Sequence, residues 1–292
     1  MIDTLKGTGV AMVTPFDQNG EIDWAGFEKL IQYLIDGGVD YLVVLGTTGE
    51  TPVLSKTEKK ALITFTYEQV NKRIPIVVGV GGNDTRQVIE DLHQLPLDQA
   101  TAILSAAPYY NKPSQEGLFQ HYKHLADASP KPLILYNVPG RTGRNMATTT
   151  TLRLAHEVQN IIGVKEASGD MQQCMDILRG RPDGFLVLSG DDALALPQLA
   201  CGMDGVISVA ANAYPQLFSN MVRACCSGDF STARSFNNQL MPAYDLMFEE
   251  NNPAGVKAFL HHLGIIQNVV RLPLVPLSKP VHEKVQQWLA SQ

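Results

Sequence analysis

No run in the chain approaches the roughly 20 consecutive apolar residues of a membrane span. The opening Met1-Ile2-Asp3-Thr4-Leu5-Lys6 also lacks the basic-then-apolar order of a secretory signal. The expectation of a cytoplasmic protein comes from the cysteines, whose number and spacing suit reduced thiols. Basic clusters are missing too. The 23 Lys and Arg residues are outnumbered by 29 Asp and Glu, a formal net charge of -6, which argues against nucleic-acid binding through bulk electrostatics. Cysteine is scarce: Cys174, Cys201, Cys225 and Cys226 form no CxxC pair. A disulfide framework is therefore not expected, and each is read as a buried structural thiol. The seven histidines form no HExxH, and His121, His124, His261 and His262 are read as surface or packing residues. Asp191-Asp192 has no His–Glu or Cys cluster at ligand spacing, so it is read as capping and loop support rather than a metal site. Gly79-Val80-Gly81-Gly82 is not a dinucleotide fingerprint. Neither a metal nor an organic cofactor is expected.

What the chain does contain is alternation. Short apolar runs at 9–14, 40–45, 74–79, 101–106, 132–136, 161–165, 185–189 and 204–209 read as strands, with helical patterns between them. Asp23 precedes a stripe of Trp24, Phe27, Leu30, Ile31 and Leu34. Ser55 with Glu58 makes a capping-box pattern, and Pro215 fits a first helical position. Eight such units predict a (β/α)8 TIM barrel, with a doubly wound open sheet as the alternative. Beyond the eighth strand, helices are expected near 215–227, 230–249, 253–263 and 279–290. The expected organisation is a catalytic barrel over 1–214 and a C-terminal helical extension over 215–292.

In such a barrel the chemistry lies at the C-terminal ends of the strands. The unusual polar, Gly and aromatic residues follow the predicted strands: Gly46-Thr47-Thr48-Gly49-Glu50, Pro108-Tyr109-Tyr110-Asn111, Tyr136-Asn137-Val138-Pro139-Gly140-Arg141, Lys165-Glu166 and Ser189-Gly190-Asp191. Lys165 ends the run Ile161-Ile162-Gly163-Val164, a wall that would desolvate its amine and favour the neutral, nucleophilic form. Taken singly, each residue has a second reading. Lys165 also reads as a strand-end lysine reaching water, Gly46-Thr47-Thr48-Gly49 as a turn or a carboxylate cradle, Tyr136 as a core tyrosine, and Arg141 as a surface arginine or a carboxylate fork.

Together, GTTGE at 46–50, PYYNKPSQEGL at 108–118, LYNVPGRTG at 135–143, GVKEASGD at 163–170 and LSGDD at 188–192 resemble the dihydrodipicolinate synthase family. These 4-hydroxy-tetrahydrodipicolinate synthases belong to the Schiff-base pyruvate aldolases, which include N-acetylneuraminate lyase. The resemblance runs from the first strand through the C-terminal helices. It implies a carbon–oxygen lyase of diaminopimelate and lysine biosynthesis. Lys165 would form an imine with pyruvate, and its enamine would attack L-aspartate 4-semialdehyde. Thr48, Tyr136 and Tyr110 would form the proton relay, with Tyr110 coming from a neighbouring subunit. Thr47 and Thr48 would hold the pyruvate carboxylate and Arg141 that of the semialdehyde, while Gly190 and Ile207 would offer backbone carbonyls. The resemblance also implies a homotetramer built as a dimer of tight dimers. At the positions where feedback-regulated members carry a histidine and a glutamate, this chain has Lys59 and Gln87, with Asn83 and Tyr109 retained. Weak or absent lysine feedback is therefore expected. The rival readings are another pyruvate aldolase of the group, such as a keto-sugar-acid or neuraminate lyase, and a non-catalytic barrel that binds a keto acid.

Overall fold

The computed structural model describes residues 2–291. Eight strands lie at Gly7–Ala11 (β1), Tyr41–Val44 (β2), Ile76–Gly79 (β3), Ala102–Ala106 (β4), Leu133–Asn137 (β5), Ile161–Glu166 (β6), Leu186–Ser189 (β7) and Gly205–Ser208 (β8). They pair in parallel in sequence order, and β8 returns to β1, giving a closed barrel. Helices alternate with them: Trp24–Asp36 (α1), Lys56–Val70 (α2), Thr85–Gln94 (α3), Gln115–Ala128 (α4), the short Pro139–Thr142 (α5), Thr148–Glu157 (α6), Met171–Gly180 (α7) and Ala195–Ala200 (α8). Pro215–Cys226 (α9), Phe230–Phe248 (α10), Ala254–His262 (α11) and Lys279–Ala290 (α12) follow β8. This is the expected (β/α)8 barrel with C-terminal helices.

The expected local signals form as read. The Asp23 carboxylate accepts from Gly26 N–H at the start of α1, and Ser55 and Glu58 close a reciprocal capping box on α2. Pro215 occupies the first turn of α9. The strands are apolar on both faces because each separates two cores. One face packs on the helices. The other fills the barrel with Val43, Val77, Leu104, Ile134, Tyr136, Leu188 and Ile207.

Two expectations need correction. The first strand covers Gly7–Ala11 rather than 9–14. Met12 N–H still bonds Val43 O, but Val13 N–H is taken by the Asn212 side chain and the Thr14 hydroxyl by Gly49 O. Pro15 then has no N–H to continue a ladder. The cysteines also divide. Cys174 and Cys225 are buried, whereas Cys201 and Cys226 are exposed. Cys225 continues the buried stripe Phe218, Met221 and Val222. One residue on, about 100° around the helix, Cys226 faces solvent, and Cys201 lies just past the end of α8. His121 is a packing residue: it is buried, with its ring nitrogen 2.9 Å from the Thr85 hydroxyl. Burial pushes its imidazole down to about 4.

The C-terminal helices are joined to the barrel by a buried ion pair. Lys257 of α11 reaches Glu50, two residues past Thr48, and both side chains are essentially unexposed. The Lys257 amine also donates to Val269 O, the second Glu50 oxygen accepts from Arg271 N–H, and the Phe16 ring lies 4.2 Å from the amine. Burial pushes the amine down to about 8, with Glu50 opposing the shift. Removing one partner of a buried pair leaves an uncompensated charge. Lys257→Met should therefore cost about 3–5 kcal/mol in urea unfolding. Arg153→Met, at an exposed pair with Glu116, should cost no more than about 1 kcal/mol. Equal losses would mean that the buried pair does not hold the extension.

Candidate active site

The site is built where β2, β5, β6 and β7 end. In the β5–β6 ladder Tyr136 stands opposite Lys165 and Asn137 opposite Glu166. Tyr136 belongs to the barrel interior, so its partner Lys165 faces inward too. Lys165 is only 4% exposed, and its amine lies 4.4 Å from the centre of the Tyr136 ring. Among the described residues it has no carboxylate within ion-pair distance. Gly190 explains how the lysine stem fits: a Cβ there would lie 2.9 Å from Lys165 Cε. Gly190 N–H bonds Glu166 O at 2.8 Å, which fixes the turn beyond β7 against β6.

The next residue is held just as firmly on the opposite face. Glu166 is fully buried. Its carboxylate accepts from the Asn137 amide at 3.0 and 3.1 Å, from Gln173 at 3.0 Å and from Ser168 N–H at 2.8 Å. Asn145 completes the cluster by accepting from Asn137 and donating to Gln173. A buried carboxylate satisfied in this way ties β5, β6 and the start of α7 together directly behind the Lys165–Tyr136 pair.

Above the lysine opens a cavity of about 840 Å³, lined by Thr47, Thr48, Tyr136, Arg141, Lys165 and Gly190 and closed on one side by Phe248, Asn251 and Asn252. Thr47–Gly49 forms one turn of 3-10 helix, with Leu45 and Glu50 on either side in left-handed backbone conformations. The Thr51 hydroxyl donates to the carbonyls of Leu45 and Gly46, holding this tight turn. Thr48 is buried, and its hydroxyl oxygen accepts from the Asn252 amide at 2.9 Å. Arg141 lies exposed at the rim on α5 and donates to the Asn251 side chain at 3.2 Å. Asp192 does the structural work expected of it: one carboxylate oxygen accepts from Val209 N–H and Ala210 N–H. Burial raises its carboxyl above the usual carboxylate range, against several hydrogen bonds and the Lys165 charge. Asp191 likewise accepts from Ala193 N–H and Leu194 N–H.

Two expected residues do not line this cavity. Ile207 is packed inside the barrel with Tyr136 and Leu188. Tyr110 is 89% exposed on the loop after β4, with a left-handed backbone conformation. A smaller cavity of about 310 Å³ shares Thr47, Tyr136 and Arg141 with the first and continues to Lys59, Gly81 and Tyr109. Asn83 donates to Tyr109 O beside it. Gln87 is exposed on α3 and its amide donates to Asp91. Asn251 and Asn252 were not anticipated. The Asn-Asn-Pro sequence reads as a turn before a helix, and only the packing of that helix onto the Thr47–Gly49 turn shows that it reaches the site.

The closed barrel with a lysine-bearing cavity at the C-terminal ends of its strands defines a (β/α)8-barrel enzyme. The chain belongs to the dihydrodipicolinate synthetase family, whose model matches residues 4–292. It is 50% identical over 285 residues to the 4-hydroxy-tetrahydrodipicolinate synthase of Parabacteroides distasonis, covering 98% of this chain and 96% of that one. Among solved structures it superposes on dihydrodipicolinate synthase from Thermotoga maritima with a TM-score of 0.96 at 39% identity, covering 99% and 98% of the two chains. It matches the enzyme from Acinetobacter baumannii, solved in complex with pyruvate, with a TM-score of 0.95 at 41% identity and 98% coverage of each.

Proposed function

We propose that this protein is a lyase that condenses pyruvate with L-aspartate 4-semialdehyde, the 4-hydroxy-tetrahydrodipicolinate synthase reaction of diaminopimelate and lysine biosynthesis. The observation that carries the reading is Lys165: a buried amine with no ion-pair partner among the described residues, set beside a phenol at the floor of a cavity with an arginine at its rim. Relatives of this chain carry that activity in their names, and one was solved with pyruvate.

The Lys165 amine attacks the pyruvate ketone carbon through its nitrogen lone pair, and the resulting carbinolamine loses water to give an imine. The methyl carbon then gives up a proton and the imine becomes an enamine. That carbon attacks the semialdehyde carbonyl carbon, whose oxygen takes a proton and becomes a hydroxyl. Finally the amine of the second substrate attacks the imine carbon, closing the ring and releasing Lys165. Each step moves a proton, so positioned acid–base groups are needed. Thr48 and Tyr136 line the cavity, and Tyr110 of the partner subunit completes the relay. The high exposure of Tyr110 in the single chain supports its use by a second copy in a tight dimer, two of which pair as a homotetramer. Thr47 and Thr48 hold the pyruvate carboxylate near the floor. Arg141 takes the semialdehyde carboxylate at the rim, where its planar fork suits two oxygens. Gly190 and Ile207 contribute backbone carbonyls. Residues 1–214 carry the eight strands of the catalytic barrel, and residues 215–292 supply its last helix, α9, packed on β1 and α8, together with the extension that closes and braces it. No described helix is long and apolar enough to cross a membrane, and the assembly works in the cytoplasm without a metal or organic cofactor.

Substrate choice is tested at Arg141. Arg141→Ala should weaken use of the semialdehyde by about 1.5–3 kcal/mol in kcat/KM, while imine formation with pyruvate changes little. A variant with normal semialdehyde kinetics, or wild-type enzyme that prefers a neutral sugar aldehyde, would move the protein to another branch of the pyruvate aldolases.

Feedback by lysine should be weak or absent. Lysine carries two ammonium groups beside its carboxylate, so its site needs acids or neutral acceptors for them, and the smaller cavity presents Lys59, while Gln87 offers no charge. At an effective dielectric near 20, two like charges about 4 Å apart repel by roughly 4 kcal/mol. Lysine titrated at saturating pyruvate should give at most millimolar inhibition, and Lys59→His with Gln87→Glu should strengthen it. Sub-millimolar inhibition of the unaltered protein would contradict this.

A further inference from the structure

We propose that Asn252 is a positioning residue that sets the direction in which Thr48 passes its proton. The inference rests on the reading of Thr48 as a relay hydroxyl. A threonine hydroxyl has one hydrogen to give and two lone pairs to offer. The Asn252 amide nitrogen lies 2.9 Å from Thr48 Oγ1 and donates to it. One lone pair is thereby occupied, and the hydroxyl hydrogen cannot be spent on Asn252. It remains for a partner in the cavity that both residues line. Donation to the oxygen also favours the electron-rich form that appears while the proton is in transit.

Two observations separate this role from packing. The Asn252 carbonyl oxygen has no partner among the described residues and is buried, the residue being only 5% exposed. Such an orphaned acceptor is costly, and packing alone would be served as well by an apolar side chain of the same shape. The reverse orientation would turn the carbonyl to Thr48 and draw the hydroxyl hydrogen out of the relay. In addition, Asn252 is held from three sides. Its backbone N–H bonds the Asn251 side chain at 2.8 Å. Gly255, three residues on, lies so close to α10 that a Cβ would meet Met247 O at 2.1 Å. Lys257 pins the same helix to Glu50, on the same turn as Thr48. The donor and its acceptor therefore move as one body.

The test is steady-state kinetics of the full-length enzyme in water and deuterium oxide. Asn252→Ala should lower kcat about tenfold to a hundredfold, less than loss of a relay group itself. The pyruvate KM should stay within about twofold, and the solvent isotope effect on kcat should rise as the proton step becomes limiting. Asn252→Asp has the same size but an ionised carboxylate can only accept, so it should fall at least as far. It also keeps the test decisive if the gap left by Ala loosens α11. In a Thr48→Val background, Asn252→Ala should cost no more than about twofold further, because residues acting through one group are not additive. Near-wild-type turnover by Asn252→Asp, an unchanged isotope effect in Asn252→Ala, or full additivity with Thr48→Val would overturn the role. If Thr48→Val itself runs at the wild-type rate, the relay reading falls first and this role falls with it. A normal Asn252→Ala beside a slow Thr48→Val removes this role alone.

Discussion

One irregularity in the barrel sets the geometry on which the rest depends. Leu133 pairs with Ile161, but the next residue, Ile134, pairs with Gly163, so Ile162 is an extra residue in β6. Without it Val164 would stand opposite Tyr136, and Lys165 would face outward with Asn137. Strand side chains alternate between faces, so a slip of one residue exchanges them. The bulge puts Lys165 on the inner face beside Tyr136 and sends Glu166 outward to Asn137. Bulges near sites that re-aim a side chain are a recurrent use of this irregularity. The four donor bonds to Glu166 then lock the register from behind.

The second constraint comes from the far end of the chain. A barrel leaves the tops of its strands open, and here α10 and α11 cover one side. Lys257 and Asn252 take hold of Glu50 and Thr48, which belong to one turn after β2. Asn251 reaches Arg141 on the opposite rim. The extension thus touches both the turn assigned to the pyruvate carboxylate and the arginine assigned to the semialdehyde. The buried ion pair brings desolvation costs that a surface pair would not. Its place beside the reaction site suits a structure that needs one fixed arrangement there.

Much of this was legible in the sequence because it is written locally. Apolar runs bounded by Gly and Pro located the strands to within a few residues, and Asp23, Ser55, Glu58 and Pro215 marked helix starts that the structure keeps. The strand order then collected Thr47, Thr48, Tyr136, Arg141, Lys165 and Gly190 at one end. What was not legible depends on long-range contacts. The end of β1 is set by Asn212, about two hundred residues away. The exposure of Cys226 depends on which side of α9 meets α10. Asn252 reaches Thr48 only after α11 has docked. The bulge at Ile162 leaves no composition signal, since Ile161 and Ile162 suit either face. Tyr110 shows a different limit, because its assigned partners belong to another copy of the chain.

The central claim, that Lys165 forms an imine with pyruvate, is tested most directly by trapping it. Borohydride added with pyruvate should leave a single reduced adduct, and peptide mass mapping should place it on Lys165. The same treatment of Lys165→Ala, folded as judged by circular dichroism, should give none. An adduct on Lys112 or Lys257, or none on the unaltered protein, would contradict the account.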